Sequence, residues 1–189
     1  MTNFYTADLH LFHEKISEYC GRPFKTTEKM WRAIKRNWNS VIGKDDTIWI
    51  AGDITLKKEA HKSLLAKMFE ELNGEKHMII GNHDMMRPID YEYIGITSIH
   101  YPACWLSNGW VIGHDPSIST ALPKDTIYLC GHQHGNLFNS IRGKNGVLVI
   151  DVGLDVREPL YTPISEEQIK NIIQNGESKL LNCDWIKDK

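Results

Sequence analysis

The sequence lacks any apolar run that approaches the roughly 20 residues needed to cross a bilayer. Its first residues, MTNFYTAD, also lack the basic start and apolar centre of a signal peptide. Of the 189 residues, 41% are hydrophobic and 24% are charged, which is ordinary for a globular protein, and this length suits one domain rather than two. We therefore expect a single domain over residues 1–189 that is cytoplasmic and has no membrane partner.

Neither a strong net charge nor a cysteine motif is present. The net charge of −2 creates no field that would recruit nucleic acid, so stable nucleic-acid binding is not expected. The four cysteines are too widely spaced for a paired ligand motif and, without a secretory signal, are expected to be reduced thiols: Cys20, Cys104, Cys130 and Cys183. The nine histidines, in contrast, are many for this length, and their placement is informative.

Short apolar runs alternate with helical patterns, which predicts an α/β protein. Strands are predicted over residues 3–6, 47–50, 77–80, 98–106, 110–112, 126–130 and 146–152. Helices are predicted over about residues 27–42, 57–72 and 165–174, the last with Ser165 as N-cap and Gln168 three residues on. The stretch Ser107-Asn108-Gly109 is typical of a hairpin. Helices in one half and a hairpin in the other predict two packed sheets with helices outside.

Side chains able to bind a metal follow five of the predicted strands. In chain order the segments are Asp8-Leu9-His10, Gly52-Asp53, Gly81-Asn82-His83-Asp84, Gly113-His114 and Gly131-His132-Gln133-His134. The carboxyl ends of strands are where ligands bind in α/β sheets, and glycine lets the backbone approach a bound group closely. Each segment alone is explained as a polar loop, but five at successive strand ends are hard to attribute to chance.

The kinds of side chain indicate which metals would bind. Carboxylate, imidazole and amide groups without thiolate suit hard or borderline divalent ions such as Mn²⁺, Fe or Zn²⁺, and they do not suit a closed structural zinc site. Seven candidate ligands are too many for one tetrahedral ion. Two ions that share a carboxylate fit this number.

Taken in order, the five segments resemble the signature of the calcineurin-like metallophosphoesterase family, over residues 8–134. That signature is Asp-x-His, Gly-Asp, Gly-Asn-His-Asp/Glu, a histidine and Gly-His-x-His. The resemblance implies a four-layer αββα sandwich of two mixed sheets, with two divalent ions at the strand ends. Mn²⁺ is favoured, with Fe, Zn²⁺ or Ni²⁺ as alternatives.

The resemblance also implies a role for each of these residues. One ion would be held by Asp8, His10, Asp53 and His134, and the other by Asp53, Asn82, His114 and His132, with Asp53 shared. His83 would be the catalytic histidine, and Asp84 would orient its imidazole.

The implied activity is phosphate-ester hydrolysis by in-line attack of a hydroxide held between the ions, with His83 protonating the leaving oxygen. We favour phosphodiesters of nucleotide type, because compact members of the family often have an open site. A phosphomonoesterase acting on a small phosphorylated metabolite or protein is the alternative. A non-catalytic scaffold, similar to the retromer subunit with this fold, is the rival from another class, and the presence of His83 with all seven ligand positions argues against it.

His13 and Arg22-Pro23-Phe24, which follow the first motif, are similar to a small bacterial and phage-type branch of the family. Residues 151–156 are similar to the closing strand of that branch, whereas Glu14-Lys15-Ile16 departs from its pattern. Arg22 is expected to bind a phosphate oxygen, with a packed or surface arginine as the alternative. His13 is a second substrate-binding candidate, or else a loop histidine. A basic helix face is expected to be solvated, unless it opens toward the ions and favours a polyanion: Lys25, Lys29, Arg32 and Arg36. The oligomeric state is left open, and a homo-oligomer is compatible with the sequence.

Overall fold

The computed structural model describes residues 1–56, 61–136, 140–157 and 161–175. These residues form ten strands: β1 (Asn3–Thr6), β2 (Thr47–Ile50), β3 (Glu75–Ile79), β4 (Ser98–His100), β5 (Ala103–Trp105), β6 (Val111–Gly113), β7 (Ile127–Cys130), β8 (Ser140–Arg142), β9 (Leu148–Asp151) and β10 (Ile164–Ser165). The helices are α1 (Ile16–Tyr19), α2 (Thr27–Val41), α3 (Lys62–Glu70), α4 (Pro88–Tyr93) and α5 (Glu166–Asn175), with 3₁₀ helices at Pro116–Ala121 and Leu154–Arg157.

The strands form two five-stranded mixed sheets. The first has the order β10-β1-β2-β3-β4, and its strands β1 to β4 are parallel, whereas β10 pairs antiparallel with β1. The second has the order β5-β6-β7-β9-β8, in which β6, β7 and β9 are parallel. An isolated parallel bridge between Ala7 and Gly153 joins the segments that follow β1 and β9. The expected fold of two packed mixed sheets with helices is confirmed.

The core follows from the alternation of side chains along the strands. Phe4 points to a core that includes Met30, Ile34 and Trp38 of α2, whereas the next residue, Tyr5, points to a core between the sheets. Both faces of the parallel strands are therefore buried, as expected where helices cover such a sheet. No helix in the described part of the chain combines the length and apolar character needed to span a bilayer.

Several elements have the bounds expected from the sequence. The strands at 3–6 and 47–50 match, and α2 ends one residue before the prediction. The N-cap of α5 has the expected reciprocal geometry, since the Gln168 backbone N–H donates to Ser165 Oγ at 3.2 Å and the Ser165 N–H donates to Gln168 Oε1 at 2.8 Å. The predicted helix 57–72 corresponds to α3 at Lys62–Glu70, and its first four residues lie outside the described residues.

The prediction of one strand over residues 98–106 was wrong. The segment forms β4 and β5, which belong to different sheets and are separated by Tyr101 and Pro102. Proline has no backbone N–H, so Pro102 cannot continue a ladder of hydrogen bonds. The expected hairpin is present in the shorter form β5–β6, with Cys104 opposite Ile112.

Candidate metal centre

Five parallel strands end at one edge of the two sheets. β1, β2 and β3 lead to Asp8, Asp53 and Asn82, while β6 and β7 lead to His114 and His132. The structure brings all seven predicted ligands together at this edge, in two neighbouring clusters.

The first cluster contains Asp8, His10 and His134, whose potential ligand atoms all lie within 4.8 Å of one another. Asp8 and His10 are buried, and His10 Nε2 lies 3.9 Å from Asp8 Oδ1. The rings of His10 and His134 have centroids 4.9 Å apart. This cluster is therefore compact and shielded from solvent on the side of Asp8.

The second cluster contains Asp53, His114 and His132, again with ligand atoms within 4.8 Å of one another. The Asn82 side-chain oxygen lies 2.9 Å from both His114 Nε2 and His132 Nδ1. Asn82 is exposed and His132 is half-buried, so this cluster opens to solvent.

Asp53 lies between the two clusters. Its Oδ2 atom is 3.6 Å from His10 Nε2 and 3.3 Å from His114 Nε2. Its other oxygen accepts a 2.9 Å hydrogen bond from the backbone N–H of His83. Burial raises the pKa of Asp53, but its hydrogen bond and charge interaction with His114 outweigh this and lower the pKa to about 2. Asp53 is thus an anionic group placed to serve both clusters.

The backbone around the clusters is unusual in two respects. Five of the seven predicted ligands have positive φ angles, a region that non-glycine residues rarely adopt: Asp8, His10, Asp53, His132 and His134. Such conformations concentrate at functional sites, where the surrounding structure offsets their cost. Gly81 is also required, because a Cβ atom there would lie 2.6 Å from the backbone nitrogen of Asp53.

Three observations indicate that divalent cations fit these residues. His10 is only 2% exposed, yet neither of its ring nitrogens has a hydrogen-bond partner among the described residues. Burial lowers the pKa of His10 to about 3, so its imidazole is neutral and has a free lone pair. Burial also raises the pKa of Asp8 to about 7, the effect of enclosing a carboxylate without a compensating cation. The 3.6 Å gap between His10 and Asp53 suits two ligands that each lie about 2.1 Å from one ion.

Two of the histidines, His114 and His134, are oriented by a hydrogen bond at the ring nitrogen that faces away from the clusters. His114 Nδ1 lies 2.7 Å from the carbonyl oxygen of Ala51, which can only accept, so Nδ1 carries the proton and Nε2 faces Asp53. His134 Nδ1 lies 2.7 Å from Asp155 Oδ2, which leaves its Nε2 for the first cluster. Such partners fix the tautomer of a metal-binding imidazole.

A cavity of about 600 Å³ adjoins the first cluster, and we call it the His83 cavity. It is lined by His13, Tyr19 and His83, together with His10 and His134 of the cluster. The ring of His83 lies 5.5 Å from that of His10, and the ring of His13 lies 5.8 Å from it. His83, the predicted proton donor, and His13, the predicted substrate-binding residue, therefore lie beside the first cluster.

A second cavity, of about 260 Å³, adjoins the second cluster, and we call it the Tyr101 cavity. Asn82, His114 and His132 form one wall, and the remaining lining includes apolar and aromatic groups: Ile80, Tyr101, Pro102 and Ile118. The side chain of Tyr101 is 76% exposed. Each cluster thus adjoins a cavity of its own, and the two cavities have different lining residues.

The structure directs the Asp84 carboxylate to backbone amides, whereas the sequence predicted that it orients the His83 imidazole. Its carboxylate accepts hydrogen bonds from the backbone N–H groups of Asp53 at 2.7 Å, Gly81 at 3.0 Å and Ile54 at 3.0 Å. Both oxygens are therefore directed at backbone amides. Asp84 thus joins the loop that carries Asp53 to the loop that carries Asn82.

The geometry also argues against the expected contact of Arg22 with substrate, because its side chain is fully enclosed. Its Nε and one terminal nitrogen donate to the two oxygens of Asp155 at 2.6 and 2.8 Å. The guanidinium also donates to the backbone carbonyls of Asp8 at 2.7 Å and Leu9 at 3.2 Å. Sequence reasoning gave Asp155 no role, and its only signal was its place within residues 151–156.

The basic face of α2 is exposed, as expected for the solvated side of an amphipathic helix. Arg32 forms an ion pair with Glu28 one turn away, and Arg36 donates to Asn37. The opposite face of the helix is buried through Met30 and Ile34. The basic residues of α2 are therefore explained as the solvated face of an amphipathic helix, with contacts inside that helix.

Comparisons with known proteins agree with this arrangement. The model of the calcineurin-like phosphoesterase family matches residues 4–151. An uncharacterized protein of Methanocaldococcus jannaschii is 31% identical over 177 residues, which cover 90% of each chain. The Gene 66 protein of Mycobacterium phage L5 is 33% identical over 86 residues, which cover 46% of this chain and 41% of the phage protein.

A solved structure has the same fold. It is a protein of unknown function from Aquifex aeolicus, with a TM-score of 0.67 at 20% sequence identity, and the match covers 90% of this chain and 98% of that chain. The extent of the family match, over the residues that build both clusters, shows that the chain belongs to the calcineurin-like phosphoesterase family of hydrolases, which act on phosphate esters.

Proposed function

We propose that this protein is a dinuclear metal-dependent phosphodiesterase. Asp8, His10 and His134 hold one ion, Asn82, His114 and His132 hold the other, and Asp53 binds both. The observation that carries the proposal is the position of Asp53 Oδ2, within 3.6 Å of a histidine nitrogen from each cluster. The oxygen and nitrogen donors without thiolate favour Mn²⁺, with Fe, Zn²⁺ and Ni²⁺ as alternatives.

When bound, the two ions supply a water activated for attack at neutral pH and positive charge that offsets the charge of the phosphoryl oxygens. The chain itself contributes geometry and a proton. The backbone N–H of His83 donates to Asp53, which fixes the start of the His83 side chain relative to both clusters. The His83 imidazole lines the cavity beside the first cluster. It would protonate the leaving oxygen, a contribution typically worth about 10²–10⁴-fold in rate.

The two cavities support a diester substrate over a monoester. A phosphodiester carries two substituents, whereas a phosphomonoester carries one. The substituent that leaves needs a proton donor, so it belongs in the His83 cavity. The substituent that remains on phosphorus then lies in the Tyr101 cavity, where Tyr101, Pro102 and Ile118 suit a flat group such as a nucleobase. A nucleotide-type phosphodiester satisfies both cavities.

A comparison of matched substrates tests this function. The full-length protein, loaded with Mn²⁺, is assayed with bis-p-nitrophenyl phosphate, p-nitrophenyl phosphate and nucleotide diesters, and its metal content is measured. We expect a higher kcat/KM on the diesters than on the monoester, and loss of activity after chelation that Mn²⁺ restores. Higher activity on the monoester would replace the diester assignment with a phosphomonoesterase, and activity that persists without metal would overturn the dinuclear mechanism.

A further inference from the structure

We infer that Asp155 and Arg22 are positioning residues that fix His134 and the Asp8 strand end for the first metal ion. The inference rests on the proposed function, since it assigns a role toward an ion of that site. Asp155 Oδ2 lies 2.7 Å from His134 Nδ1, and both Asp155 oxygens accept from Arg22 at 2.6 and 2.8 Å. Nothing in the five sequence motifs includes either residue.

The contact between Asp155 and His134 determines which ring nitrogen can bind a metal. A carboxylate accepts hydrogen bonds, so His134 Nδ1 carries the proton and Nε2 presents its lone pair. His134 is a member of the cluster with Asp8 and His10, so we infer that this lone pair serves the ion of that cluster. A carboxylate on the far nitrogen both holds the ring in place and makes the imidazole a stronger ligand.

Arg22 connects this carboxylate to the other half of the cluster. The guanidinium nitrogen that donates to Asp155 Oδ2 also donates to the backbone carbonyl of Asp8 at 2.7 Å, and a second nitrogen reaches the carbonyl of Leu9 at 3.2 Å. The guanidinium of Arg22, which is 133 residues from Asp155 in sequence, therefore ties the segment after β9 to the segment after β1. A lysine, with a single ammonium, cannot make these contacts together.

The burial of the pair argues for a role beyond stability. The side chains of Arg22 and Asp155 are 0% and 3% exposed. A buried ion pair usually contributes little net stability, because removing both charges from water costs about as much as their attraction returns. The pair contacts the side chain of His134 and the backbone of Asp8, so it can fix the geometry of these two predicted ligands.

Metal binding to the variant Asp155→Asn tests the inference directly. The asparagine keeps the size of the side chain, but its NH₂ group faces a donor of Arg22 or His134, so the network cannot form intact. Asp90→Asn is the matched control, because Asp90 is also buried and pairs with two cations, Lys62 at 2.7 Å and Arg87 at 2.9 Å. Mn²⁺ is titrated calorimetrically into each full-length, metal-free protein.

We expect two binding events in the wild type and in Asp90→Asn. In Asp155→Asn the event of the first cluster should weaken by about 10–100-fold, while the other event is unchanged. The variant Asn82→Ala, which alters only the second cluster, identifies which event is which. Two unchanged events in folded Asp155→Asn would overturn the positioning role.

The variant Arg22→Lys provides a second measurement that does not depend on the folding of Asp155→Asn. Lysine keeps the positive charge but loses the planar guanidinium with its several donors. We therefore expect Arg22→Lys to weaken Mn²⁺ binding at the first cluster. Unaltered binding would count against the inference. A purely structural pair would lower the melting temperature and leave both affinities unchanged below it. A wild-type protein that binds no divalent ion would instead overturn the proposed function itself.

Discussion

The two clusters share Asp53 but differ in burial, charge and support. The first has a carboxylate of its own, Asp8, which is fully buried, and its His134 is braced by Asp155. The second has the neutral Asn82 in the corresponding position, exposed to solvent and next to the Tyr101 cavity. We call the first the closed cluster, because its own carboxylate is buried, and the second the open cluster, because its amide ligand candidate is exposed.

This difference predicts that the two clusters bind their ions with different affinities. The affinity of a site for divalent ions rises with the number of charged ligands and with the rigidity of the site. The first cluster should therefore bind its ion tightly, and the second should bind more weakly and exchange with solvent. The open cluster adjoins the Tyr101 cavity and the closed cluster adjoins the His83 cavity. If the proposed function holds, we expect the orientation of the substrate to follow this asymmetry.

The largest effect is expected for Asp53→Asn, which removes the group that both clusters share. The loss of this charge should weaken both binding events and reduce hydrolysis to the level of a reaction without enzyme. Metal analysis and a diester assay measure the two effects, with Asp90→Asn as the control for removing a buried carboxylate. If Asp53→Asn kept one tight ion at full occupancy, the two clusters would not depend on a shared ligand.

The next effect is expected for His83→Ala, which should slow turnover and spare both ions. A lost general acid typically costs about 10²–10⁴-fold in kcat. The loss should be largest for nucleoside leaving groups and small for p-nitrophenolate, which needs little protonation. Full activity on a poor leaving group would remove His83 from this role, and loss of metal would make it a ligand of the first cluster.

A smaller effect should separate the clusters from each other. Asn82→Ala should weaken only the second binding event, by at least the roughly 10–100-fold typical of losing a partner that merely orients a ligand, whereas Asp8→Asn should weaken only the first. Calorimetric titration with Mn²⁺ measures both variants under the same conditions. Equal affinities for the two ions in the wild type would contradict the proposed asymmetry before any variant is made.

The convergence of the seven predicted ligands could be anticipated from the sequence, because strand order places the motifs. The carboxyl ends of parallel strands meet at one edge, so the segments after β1, β2, β3, β6 and β7 converge once those strands are identified. The capping pair Ser165 and Gln168 shows the same reliability for a local signal. Local sequence patterns and the positions of strand ends were therefore sufficient to predict the helix cap and the convergence of the ligands.

Contacts between distant segments were not predictable in this way. Arg22 and Asp155 are 133 residues apart, and nothing in the local pattern of either indicates the other. Asp84 lies next to His83 in sequence, which favoured a shared role, but the turn directs its carboxylate to backbone amides instead. The short elements α1, α4, β8 and β10 were also missed, since segments of so few residues carry little periodic signal.

The smallest effect is expected at the open side of the site, for Tyr101→Ala. Tyr101 is 76% exposed and lines the cavity beside the second cluster. Loss of one aromatic stack is worth about 0.5–1.5 kcal/mol, which corresponds to about a 2- to 10-fold rise in KM. The rise should appear for diesters whose retained substituent is aromatic, and kcat should change little.

Two variants and one substrate isolate this contact. Tyr101→Phe keeps the ring and should behave as wild type, whereas Tyr93→Ala removes an exposed tyrosine on α4 and should have no effect. A dialkyl phosphodiester offers no ring to stack, so its KM should not respond to Tyr101→Ala. An equal rise in KM for the alkyl and aryl diesters would mean that Tyr101 shapes the entrance without reading the substituent. The open cluster would then differ from the closed one in metal affinity alone.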